Sequence, residues 1–182
     1  NEQDRACRQC GGRFADPLVV VDLSRSPTEA DVEVYADDTE VTEAELLFEG
    51  NVSLKQGYRQ VTADQVTADR ARETATATGN VVFREPGILI RGSRIDYNSQ
   101  SEEGTVTDAR YVIHDRRMVG SAVQLKRLGN GEIAIDDGRM TYCSPEDPEW
   151  ILYADELEID PVSGDAQAWG AKLQVADVPV IY

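Results

Sequence analysis

One histidine, two tryptophans, two methionines and three cysteines in 182 residues leave few side chains for catalytic chemistry. His114 is the single candidate for a near-neutral acid or base. It stands in His114-Asp115-Arg116-Arg117 at the end of a strand-like stretch, where a surface turn is expected. No Gly-x-Ser-x-Gly elbow and no phosphate loop occurs. Acids are plentiful, but most fall at turn or outward positions, so no acid–base pair stands out. The reading is of a protein that is not an enzyme and uses no cofactor.

Basic residues are also short: 18 Lys and Arg against 34 Asp and Glu, for a net charge of −16 and a pI near 4.4. A nucleic-acid partner needs a basic face to displace counterions, and none is visible. Adsorption to an anionic membrane surface is disfavoured for the same reason. Long apolar runs are missing too. No segment approaches the roughly 18 residues that a spanning helix requires, and no secretory signal is present. Asn1 is not a natural start, and the strand-like Val178-Pro179-Val180-Ile181-Tyr182 is not closed off. The natural chain is therefore expected to extend beyond this sequence.

The cysteines are few but placed suggestively. Cys7 and Cys10 form a Cys-x-x-Cys, and Cys143 lies far downstream in Tyr142-Cys143-Ser144-Pro145. One remote Cys and one His add too few ligands for zinc, so no metal site is expected. A thioredoxin-like pair needs an α/β setting that is absent. In an exported protein an odd count suggests disulfides, with at least one partner outside this chain.

What the sequence does have is repetition. Residues 1–31 look irregular and are expected to form an N-terminal arm; from about residue 32 a unit of about 29 residues recurs. Val61-Thr62-Ala63-Asp64-Gln65-Val66-Thr67-Ala68-Asp69 returns as Ile90-Arg91-Gly92-Ser93-Arg94-Ile95-Asp96-Tyr97-Asn98, then as Met118-Val119-Gly120-Ser121-Ala122-Val123-Gln124-Leu125, and then as Leu152 to Asp160. A second element alternates with it: Gly50-Asn51-Val52-Ser53-Leu54, Gly79-Asn80-Val81-Val82-Phe83, more weakly Asp108-Ala109-Arg110-Tyr111, and Gly170-Ala171-Lys172-Leu173. Period-two alternation makes each element a strand with one buried face. Turn-rich tracts such as Asn98–Gly104, Leu128–Gly131 and Pro161–Asp165 join them as hairpins.

Inside each first strand the apolar phase slips by one residue, at Asp64-Gln65, Ser93-Arg94, Ser121-Ala122 and Asp155-Glu156. A bulge or bend there returns both apolar pairs to one face. A bend repeated in every hairpin predicts an all-β fold of two curved sheets face to face, a β-jelly roll or a short solenoid. The inward face then carries Val61, Val66, Ile90, Ile95, Tyr97, Met118, Val123, Leu125, Leu157 and Ile159. The returning strands add Val52, Leu54, Val81, Phe83, Tyr111 and Leu173. Ala63, Gly92, Gly120 and Ala154 are small members of the same face. Recurrent small residues allow either close sheet packing or a lengthwise apolar groove. Trp150 and Trp169 are suited to stacking on a ligand or, more commonly, to anchoring structure.

The Gly-Asn-Val element with its Ala-Asp strand resembles the OstA-like repeat of lipopolysaccharide transport proteins. Asp147-Pro148-Glu149-Trp150, Ala154-Asp155, Ile159-Asp160, Gly170-Ala171, Leu173 and Val178–Tyr182 resemble the stretch leading into the barrel in the LptD family of outer-membrane assembly proteins. The resemblance covers about residues 32–182. It implies a periplasmic β-jelly roll at the outer membrane, truncated before a C-terminal barrel, whose apolar interior takes the acyl chains of lipopolysaccharide. It implies three partners besides the lipid: a periplasmic bridge protein at one sheet edge, the chain's own barrel, and a lipoprotein plug in that barrel. It also implies disulfides to the barrel, with Cys143 and either Cys7 or Cys10 in the expected places; the extra N-terminal cysteine departs from the pattern. The expected function is a non-catalytic lipid conduit. The rival is an edge-to-edge β-assembly scaffold with a solid interior.

Overall fold

A computed structural model describes residues 25–114, 117–143, 148–160, 162–175 and 178–181. The N-terminal arm, with Cys7 and Cys10, and Asp147 of the barrel-side motif lie outside them.

Every regular element among the described residues is a strand. They run β1 (Val32–Tyr35), β2 (Asp38–Val41), β3 (Glu45–Gln56), β4 (Arg59–Asp69), β5 (Thr74–Glu85), β6 (Ile88–Asn98), β7 (Glu103–Ile113), β8 (Met118–Arg127), β9 (Ile133–Thr141), β10 (Trp150–Ile159), β11 (Ala166–Trp169), β12 (Lys172–Val175) and β13 (Val178–Ile181). The all-β class and the tandem hairpins follow the repeats. The pairing forms one continuous antiparallel sheet in near-sequence order, from β1 through β3 to β10 and on to β12 and β13. The two layers expected from the bends are thus two halves of the same long strands, not two separately paired sheets.

The short strands complete this pattern. β1 pairs with the second half of β3 and β2 with its first half. β11 and β12 likewise pair with successive halves of β10. Each duo is therefore one repeat strand interrupted at its bend, by Ala36-Asp37 at one side of the sheet and Gly170-Ala171 at the other.

The bends have a specific cause. Gly50, Asn51, Gly79, Asn80, Asp108, Asp137 and Gly170 all have positive φ, and positions 50, 79, 108 and 137 are 29 apart. Left-handed backbone is tolerated best by Gly, Asn and Asp. The ladder shifts register between Glu49 and Val52 and between Thr78 and Val81, so the extra residue belongs to the Gly-Asn strands β3 and β5. It does not lie in the Ala-Asp strands, where the phase slip had located it. A neighbouring side chain closes each corner: Asn51 Nδ2 donates to Asp37 Oδ2 at 2.8 Å, Asn80 Nδ2 to Asp64 Oδ2 at 2.9 Å, and Ser93 Oγ to Asp108 Oδ2 at 2.7 Å. Asp155 packs so closely on Gly170 that a Cβ there would overlap its carboxylate.

Candidate functional site

Lateral pairing arranges the inward side chains into files that cross the whole sheet. In one half of the strands the file is Val34, Leu54, Val61, Phe83, Ile90, Tyr111, Gly120, Met140, Leu152 and Leu173. In the other half it is Phe48, Val66, Ala77, Ile95, Val106, Leu125, Ile135, Leu157 and Ala168. Between them, along the bend, stand small residues: Val52 faces Ala63, Val81 faces Gly92, Ala109 faces Ala122, and Gly138 faces both Ala122 and Ala154. Small residues at the crease let the two large files approach across it. One buried cluster joins Tyr111 and Met118 from the first half to Val106, Leu125, Ile135 and Leu157 from the second. A second cluster, nearer β1, holds Val52, Ala63, Val66, Ala77 and Val81, and Ile95 touches both.

Of the sixteen residues expected on this face, fourteen are buried or half-buried. Val52, Val66, Val81, Tyr111, Met118, Leu125 and Leu157 are buried. Leu54, Val61, Phe83, Ile90, Ile95, Ile159 and Leu173 are half-buried. Tyr97 is on this face but 38% exposed, because it lies at a strand end opposite Gly104, which carries no side chain to cover it. Val123 needs correction: it is 51% exposed and points outward. Leu125 shares the file of Ile95, so Ala122-Val123 is the true equivalent of Gly92-Ser93. Val123 therefore occupies the outer-corner position of Asp64, Ser93 and Asp155, all exposed. The preceding Gly120-Ser121 fits the same motif two residues early, which is what shifts the alignment.

The sequence reading also passed over β9, whose Ile135 is 2% exposed and central to the core. Its signal was present: Asp137-Gly138-Arg139-Met140 follows Asp108-Ala109-Arg110-Tyr111 by 29 residues. Val34-Tyr35-Ala36-Asp37 is a similar early copy of Val61-Thr62-Ala63-Asp64.

The inward face has almost no polar chemistry. Tyr111 is 3% exposed, and burial pushes its phenol well above the usual range, so it stays neutral. Its hydroxyl donates a long bond of 3.5 Å to the Arg139 carbonyl. A void beside it, lined by Ile135, Gly138, Met140, Leu152, Ala154 and Leu157 among others, has room for about 10 Å³, the size of one water. Trp150 acts as an anchor, edge-on to Tyr142 at 5.4 Å between centroids. Trp169 is 46% exposed at the end of β11. Cys143 is fully buried and disulfide-bonded, its backbone N–H donating to Thr141 Oγ1. His114 follows β7, where its backbone N–H donates to the Gly87 carbonyl. No group of three or more metal-ligating side chains occurs among the described residues.

The family model for the LptA/(LptD N-terminal domain) LPS transport protein matches residues 31–165. LPS-assembly protein LptD of Shewanella denitrificans is 29% identical over 153 residues, covering 84% of this chain and 20% of that protein. The same-named protein of Saccharophagus degradans is 31% identical over 174 residues, covering 95% and 20%. This chain thus spans about a fifth of the relatives' length. Among solved structures, LptH of Pseudomonas aeruginosa, described as an LptA homologue and periplasmic component of the lipopolysaccharide transport device, aligns with 82% of this chain and 85% of its own at 14% identity and a TM-score of 0.32.

Proposed function

This chain belongs to the LptA/LptD N-terminal domain family of lipopolysaccharide transport proteins, and on that premise we propose that it is a non-catalytic conduit for the acyl chains of lipopolysaccharide at the periplasmic face of the outer membrane. The observation that carries the reading is the pair of uninterrupted apolar files running across all the repeats. A lipid tail lying across the strands would meet apolar atoms at each step, with burial worth roughly 25 cal/mol per Å². The residues that touch it would be Val52, Leu54, Val61, Val66, Val81, Phe83, Ile90, Ile95, Tyr111, Met118, Leu125, Leu157, Ile159 and Leu173, with Tyr97 at the rim. The void beside Tyr111 is water-sized, so a tail would enter there as the two strand halves part along the small-residue crease.

In this reading residues 1–31 are an arm and 32–182 the jelly roll. Among the described residues, the sheet ends in β1 with β2 at one side and in β11 with β13 at the other. Unpaired edges are templates for strand addition. One would receive the bridge protein and the other would continue into the chain's own barrel with its plug lipoprotein. Cys143 would bond Cys7 or Cys10, or exchange with a barrel cysteine. The net charge of −16 would keep headgroup phosphates out of the interior while the tails enter; salt would then strengthen tail binding modestly.

The test is site-specific photo-crosslinking to lipopolysaccharide in cells, in the full-length protein. Probes go at Ile95 and Leu125, with Arg94 and Val123 as outward controls. Adducts at the inward pair alone support the conduit. Their absence at all four positions would favour the scaffold reading, which the tight packing around Ile135 independently supports.

A further inference from the structure

The outer face of the sheet carries a file of its own. Paired residues across β6 to β9 put Arg91 opposite Arg110, Arg110 opposite Ser121, and Ser121 opposite Arg139. All three arginines are exposed. Directly opposed like charges on one face of a sheet destabilise it, with Cβ atoms only about 5 Å apart. The arrangement is unusual in this chain, where acids outnumber bases nearly two to one. Five other cations have a carboxylate partner, Arg59 with Glu85, Arg72 with Asp69, Arg94 with Asp96, Lys126 with Asp136, and Arg127 with Glu102, and Lys55 lies over the Tyr35 ring. Among the described residues, Arg91 and Arg110 form no such pair. The nearby corner carboxylate of Asp108 is held by Ser93. Arg139 is steadied by Ser121, which accepts from its Nε at 3.0 Å.

We propose that Arg91 and Arg110, flanked by Arg139, form a binding site for a phosphate monoester on the outer face of the sheet. A carboxylate offers one edge and satisfies one guanidinium fork. A tetrahedral phosphate offers three oxygens and can accept from two forks at once. Its charge near −2 at neutral pH matches two guanidinium groups, whereas a diester carries half of that. The site lies on the opposite side of the sheet from the apolar files. Its ligand is therefore not the headgroup of a lipid whose tails lie inside, and its existence is independent of the conduit reading.

The experiment follows the Arg Nε–Hε NMR resonances of the 182-residue chain. Probes are inorganic phosphate, glucose 6-phosphate, and vesicles carrying either phosphatidic acid (a monoester) or phosphatidylglycerol (a diester). Saturable shifts confined to Arg91, Arg110 and Arg139, absent at the paired Arg94, are expected with the monoesters, together with a loss of about tenfold or more in affinity for R91Q/R110Q. A stronger response to phosphatidic acid vesicles than to glucose 6-phosphate assigns the ligand to a lipid surface, and equal response assigns it to soluble phosphates. Uniform shifts over all arginines, or affinity unchanged in R91Q/R110Q, overturn the site. The variant is expected to keep or raise its melting temperature, since it removes a repulsion; phosphate should raise the melting temperature of the parent chain only.

Discussion

At the residue scale, the corners are the most exacting positions. Gly79 has a φ of 74° and lies under the Asp64 carboxylate. Gly79→Ala adds left-handed strain and a clash, and should cost 1 kcal/mol or more, read from urea denaturation. Ile135→Ala removes a fully enclosed side chain and is expected to cost about 2–5 kcal/mol in the same assay. Asp96 behaves differently. The Arg94 guanidinium beside it, helped by the Thr76 hydroxyl, holds its carboxyl below the usual range. A lowered folded pKa stabilises above the unfolded value and loses that contribution as pH falls through the folded one. Asp96→Asn should therefore weaken the fold by a few tenths of a kcal/mol at pH 7, as exposed pairs do. The gap to the parent chain should close in acid, and a gap that persists at pH 2 would remove the ion pair from the account.

At the element scale, two residues a step apart separate the faces. Leu125→Asp would bury an unpaired carboxylate in the larger core cluster and should prevent folding, while Val123→Asp places an acid where the other repeats already carry Asp64 and Asp155 and should be tolerated. Circular dichroism and thermal melts of the two variants check this. The same pair shows how far the sequence could be read. Period-two alternation and a constant spacing located every long strand except β9, and named the crease residues Ala63, Gly92 and Ala154. The face of Val123 was hidden because a register slip of two residues kept the Gly-Ser motif intact, and one strand's pattern holds no information on its partner's register. β9 was hidden because its corner reads Asp-Gly rather than Gly-Asn. Left-handed backbone accepts either, so the backbone requirement repeats more faithfully than the letters. The arginine file was out of reach for a similar reason: Arg91 and Arg110 become neighbours only through pairing.

At the scale of the whole molecule, the backbone of each strand lies only beside its ladder partners, as in a solenoid, while side chains such as Tyr111, which reaches the Arg139 carbonyl from β7, tie strands two apart. Excising residues 79–107, one repeat from corner to corner, should leave a folded sheet two strands shorter, with its edges β1 and β13 intact. Small-angle scattering would register the loss as about 9.6 Å of length. Failure of the shortened chain to fold would show that the two core clusters are not modular. The corner geometry has a further consequence. Because every bend falls at the same height in its strand, adding or removing repeats changes the length of the crease and nothing about its cross-section. Repeat number is then a ruler: evolution can set the distance this sheet bridges in steps of one hairpin, without redesigning the surface at either end.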